Sequence, residues 1–103
     1  MEVAVMGIGI IPRLKVKDGK ELELERILLD LIASTRKNEP GSRFYSAFKS
    51  RSDGTYVLME VFDGEPSFEV HRTSVYIETG VPKLTELLAE PYTVEFFDEI
   101  VSS

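Results

Sequence analysis

His71 is the only histidine in the chain, and histidine alone has an unperturbed pKa near neutrality. It can act as a base or hydrogen-bond donor facing a pocket, or as a half-buried helix residue capping a carbonyl. Glu60 interrupts the otherwise apolar run Tyr56-Val57-Leu58-Met59-Glu60-Val61-Phe62. A carboxylate there must be paired, hydrated or placed beside a cavity. Lys49 is a candidate diagonal partner, which would make Glu60 half of a structural ion pair. Tyr45, Leu58, Phe62, Phe68 and Tyr76 either line a flat pocket around these polar groups or fill the core.

Other chemistries lack their residues. With no Cys there is no disulfide, thiolate nucleophile or Cys-ligated metal. One His and scattered acids give no HExxH, no acidic loop and no facial triad, so no metal ligand is assigned. Gly7-x-Gly9 lacks the third glycine and the following helix of a dinucleotide site, and no Walker, GxSxG or EF-hand pattern occurs. No cofactor-binding residue is therefore assigned. A net charge of −6, spread along the chain, argues against a nucleic-acid partner. No apolar run approaches the ~20 residues of a membrane span. The start, Met1-Glu2-Val3-Ala4-Val5, has no basic leader and reads as a mature, cytoplasmic protein.

The elements that must position these residues follow from periodicity. A chain of 103 residues predicts one domain over 1–103. Residues 3–16 predict a strand, with Gly7, Gly9 and Pro12 suggesting a bulge or an edge position. Leu24, Ile27, Leu28, Leu31, Ile32 and Thr35 form one helical stripe, ended by Pro40-Gly41. Residues 42–50 and 55–62 predict two strands around a two-residue Asp53-Gly54 turn. That register sets Tyr45 opposite Phe62, Ala47 opposite Glu60 and Phe48 opposite Met59. One face then carries Tyr45, Ala47, Leu58, Glu60 and Phe62, and the other Phe44, Phe48, Val57, Met59 and Val61. Gly64-Glu65-Pro66 opens a second helix, with Phe68, His71 and Val75 on one side. Gly80 and Pro82 interrupt it, Lys83–Glu90 resumes it, and residues 92–99 form a last strand. The order is β-α-β-β-α-β, an α+β class. Helices on one side leave the second apolar sheet face uncovered, which predicts a homodimer.

Four stretches carry a family resemblance. They are Leu14-Lys15-Val16-Lys17-Asp18-Gly19-Lys20-Glu21, then Arg36-Lys37-Asn38-Glu39-Pro40-Gly41 with Tyr45 beyond it, then Tyr56 to Asp63, then His71-Arg72-Thr73-Ser74. Their order and spacing resemble the antibiotic biosynthesis monooxygenase family, including its quinol monooxygenases. The resemblance implies a ferredoxin-like monomer whose antiparallel four-stranded sheet joins its mate's in a dimeric α/β barrel. It implies oxidation of a quinol or polycyclic phenol by molecular oxygen with no metal or flavin. By position, His71 would be the base or donor, Glu60 its partner or a substrate anchor, and Tyr45, Phe62 and Phe68 the walls. The family often has Trp where Phe62 stands and His-Phe where Tyr76-Ile77 stands. The alternatives are an isomerase or other small-molecule enzyme on the same fold, and a non-catalytic ligand-binding dimer.

Overall fold

A computed structural model describes residues 7–100. The chain runs β1 (Ile8–Leu14), α1 (Glu21–Asn38), β2 (Ser42–Lys49), β3 (Tyr56–Phe62), α2 (Glu65–Arg72), α3 (Val75–Thr85) and β4 (Thr93–Asp98). The strands form one antiparallel sheet in the order β2-β3-β1-β4, the ferredoxin-like α+β arrangement. Residues 3–6 of the expected first strand lie outside the described residues.

In α1 the buried residues are Leu24, Leu28, Leu31, Ile32 and Thr35, the stripe set by the 3.6-residue period. Glu21 and Glu23 lie in its first turn and Arg36 and Lys37 in its last, each complementing the helix dipole. The stripe packs with Ile10 and Leu14 of β1 and Tyr56, Leu58 and Phe62 of β3. Each buried leucine contributes about 1.5–3 kcal/mol, so this contact fixes α1 on the sheet.

β1 is a central strand, hydrogen-bonded to β3 on one side and β4 on the other, rather than an edge. Its pairing with β3 keeps one register from Ile8 to Leu14 without a bulge, and that ladder skips Ile11 and Pro12. The skip matches the amide hydrogen that proline lacks. The irregularity falls instead in β2, between Ser42 and Phe44.

The β2–β3 connection is also longer than two residues. Tyr45 pairs with Glu60, Ala47 with Leu58 and Phe48 with Val57. The loop closes between Ser50 and Thr55, whose N–H···O bond is 2.8 Å. Side chains satisfy its amides: the Thr55 N–H donates to Asp53 Oδ1 and the Ser52 N–H to Ser50 Oγ. The register moves by two residues, an even step, so every side chain keeps its face.

The second helical stretch breaks at Thr73-Ser74, not at Gly80–Pro82. The Ser74 N–H and hydroxyl both donate to the His71 carbonyl, at 3.1 and 2.7 Å, and this ends α2. Val75 therefore starts α3 and is exposed, away from Phe68 and His71. Gly80 is a packing residue: a Cβ there would stand 2.8 Å from Leu31 Cδ2, so glycine lets α3 approach α1. Beyond α3 the chain does not resume a helix. The Lys17 N–H bonds the Leu87 carbonyl and the Ala89 N–H the Lys15 carbonyl, around a Val16–Leu88 bridge.

All three helices cover one sheet face. On the other, Phe44, Phe48, Met59 and Phe97 are exposed. Among the described residues no helix is long and apolar enough to cross a membrane.

Candidate functional site

Glu60 lies mid-strand in β3, opposite Tyr45 of β2 and Ile10 of β1, and points under the helices. Across it, α2 presents Phe68 and His71, one helical turn apart. The imidazole is packed between rings, with centroids 5.0 Å from Tyr45 and 4.9 Å from Phe62. His71 is 4% exposed and Glu60 6%.

A third polar group completes the arrangement. Glu39 follows the last turn of α1, its N–H bonded to the Thr35 carbonyl at 3.0 Å. The next residues turn tightly against α2. A Cβ on Gly41 would stand 2.3 Å from Ser67 Oγ, and the Gly41 carbonyl accepts the Asp63 N–H at 2.9 Å. This turn buries the Glu39 carboxylate, 6% exposed, beneath His71. His71 Nδ1 lies 3.1 and 3.0 Å from its two oxygens, and the Tyr76 hydroxyl donates to Oε2. With Nδ1–H given to Glu39, the ring lone pair is at Nε2. Nε2 faces Glu60 Oε1 at 3.9 Å, too long for a hydrogen bond.

Burial sets the charges. It raises Glu60 to about 8, helped by the negative Glu39 nearby. It lowers His71, outweighing the hydrogen bond and charge of Glu39 that pull upward. Tyr45 is held well above the usual phenol range by burial, then by Glu60 and Glu39. Tyr76 is pushed up to about 12 by burial and by its bond to Glu39. At neutral pH the site therefore holds a neutral imidazole with a free Nε2 beside a protonated carboxyl.

A cavity of about 220 Å³ opens in front of this pair. His71, Glu60, Tyr45, Leu58 and Phe68 all line it. Phe62 does not; it is fully buried behind the imidazole. Tyr76 does not either; it stands on the Glu39 side of the ring. Lys49 is no partner of Glu60, for its ammonium lies 5.4 Å over the Tyr56 ring. Glu39 joins the site without having been expected there, although an acid at a helix C-terminus opposes the dipole and is a signal. Phe96 is a further unexpected member, a cavity-lining residue in edge contact with Phe68 at 5.6 Å. Among the described residues no group of three metal-ligating side chains is arranged to hold an ion.

Residues 7–83 match the family model described as antibiotic biosynthesis monooxygenase. The chain belongs to that family. Solved structures align with almost all of it. A Caulobacter crescentus protein provisionally named an antibiotic biosynthesis monooxygenase is 27% identical, with a TM-score of 0.88 over 92% of this chain and 91% of its own. The Mycobacterium tuberculosis protein Rv0793 is 25% identical, with a TM-score of 0.86 over 94% and 98%. A conserved Methanosarcina mazei protein, 21% identical with a TM-score of 0.87 over 93% and 95%, shares the fold. No curated protein matches the chain in sequence.

Proposed function

We propose that this antibiotic biosynthesis monooxygenase family member oxidises a quinol or polycyclic phenol with O₂, without metal or flavin, as a cytoplasmic homodimer. One observation supports the chemistry above others: the 3.9 Å gap between His71 Nε2 and Glu60 Oε1. It is too wide for a direct bond, yet one oxygen atom fits within about 2.8 Å of both. A phenolic oxygen seated there donates its hydrogen to Nε2 and accepts one from the Glu60 carboxyl. Proton transfer to Nε2 leaves a phenolate held by that donor, in a site walled mostly by apolar side chains.

The phenolate is the reductant. It passes one electron to O₂, and the resulting radicals combine at a ring carbon to give a peroxide. The O–O bond then breaks as that carbon loses its hydrogen and becomes oxidised. A dihydroxyarene plus O₂ thus gives a hydroxyquinone plus water. Four electrons leave the substrate and reduce O₂, with one atom retained in the product and the other released as water. The three hydrogens lost or rearranged on the substrate reappear in the product hydroxyl and the water.

The dimer reading rests on the sheet face opposite the helices, where Phe44, Phe48, Met59 and Phe97 are exposed together. A second copy would cover them. The test of the reaction is oxygen uptake with naphthols, anthrones and quinols, and incorporation of one atom of isotopically labelled O₂. Failure to consume oxygen with any of these would overturn the reading.

A further inference from the structure

Behind the imidazole, on the side away from the cavity, polar groups continue toward the surface. The Glu39 carboxylate takes the Nδ1–H of His71 and the hydroxyl of Tyr76. Tyr76 is only partly buried and lines a separate open groove between α1 and α3, with Asp30, Ser34 and Lys83. The Thr35 hydroxyl, fully buried and without a hydrogen-bond partner among the described residues, stands near the Tyr76 phenol. Ser74 is near it too. The phenol therefore has neighbours to bond when its hydrogen turns from Glu39.

We propose that Glu39 and Tyr76 form a relay carrying a proton between the back of His71 and the groove between α1 and α3. The proposal rests on the acid–base role of His71 in the reading above. When Nε2 takes the phenol proton, the imidazolium passes its Nδ1 hydrogen to Glu39. Glu39 passes a proton to the Tyr76 oxygen as Tyr76 gives its own to water in the groove. The reverse sequence returns it when the departing oxygen leaves as water. No electrons move, and each group ends as it began. The benefit is electrostatic. A cation beside the phenolate stabilises it and makes it a poorer electron donor, whereas a neutral imidazole leaves its reducing power intact. Both residues act through His71 and are positioning residues.

The single histidine makes the test direct, because its ring-nitrogen signals in a nitrogen-15 sample have one source. In the wild-type chain, without substrate, the Nδ1-protonated tautomer should be observed, and exchange of that hydrogen with water can be timed. Tyr76→Phe should keep the tautomer and slow the exchange several-fold. Glu39→Gln should slow it too, since an amide oxygen can accept the bond but cannot carry the proton. Unchanged or faster exchange in both variants would show that the proton leaves through the cavity, and would end the proposal. The measurement uses neither substrate nor O₂, so it fails or succeeds separately from quinol oxidation.

Discussion

His71 Nδ1 is held by both carboxylate oxygens of Glu39, at 3.1 and 3.0 Å, so only Nε2 is left to face the cavity. An asparagine at position 71 can place its amide nitrogen near the Nδ1 position and keep the bond to Glu39, but it has no counterpart of Nε2. His71→Asn should therefore fold with little change in Tm and lower kcat by about 10²–10⁴-fold. Undiminished oxygen uptake by this variant would make His71 a structural residue.

Glu60 gives a stability signature of defined sign. Its folded pKa is raised to about 8, so the native state holds a proton that the unfolded chain releases above the ordinary carboxylate range. Stability should fall as pH rises from that range through about 8, by up to a few kcal/mol. Gln cannot ionise. Urea melts of Glu60→Gln at acid and alkaline pH should lack this decline, and the variant should exceed the wild type in stability above about pH 8. An identical decline in both proteins would place the titration elsewhere.

Activity should have two limbs. The proposed chemistry requires Glu60 protonated and His71 neutral, so turnover should fall above about pH 8 as the carboxyl ionises and fall in acid as His71 gains a proton. Because burial lowers His71, the acid limb should lie below the usual histidine range. A kcat/KM profile of Glu60→Gln should lose the alkaline limb alone.

Phe48→Glu should break the dimer, because the charge would enter an apolar sheet-to-sheet contact. Sedimentation equilibrium of the wild type should give twice the 11.6 kDa chain mass, and the variant the single mass. A monomeric wild type at micromolar concentration would refute the covered face.

Oxygen uptake should withstand exhaustive chelation, since in the proposed reaction the phenolate itself supplies the electrons. Loss of turnover on chelation, with recovery on adding one metal, would replace the proposed chemistry.

The legible parts of the chain were those governed by local period. The α1 stripe from Leu24 to Thr35 could be read because five of its six residues are buried at the spacing one helix face requires. The sheet faces around Tyr45 and Glu60 are legible even though the loop is longer than a two-residue turn, since a slip of two leaves alternation intact. What escaped depends on distant partners. Gly80 looks like a helix breaker until Leu31 is seen against it. Glu39 looks like a solvated helix end until His71, 32 residues away, closes over it. The true break, Thr73-Ser74, depends on a hydroxyl choosing the His71 carbonyl, which carries no periodic signal.

That break has a geometric consequence. On an uninterrupted α-helix, residues five apart project about 140° from each other, so positions 71 and 76 could not both reach one carboxylate. Restarting the helix at Val75 resets the angular phase, and His71 and Tyr76 converge on Glu39. The chain length of the interruption is thus a tuning parameter for the site. Removing one residue from it would leave both helices free to form and rotate the phenol out of reach of the acid.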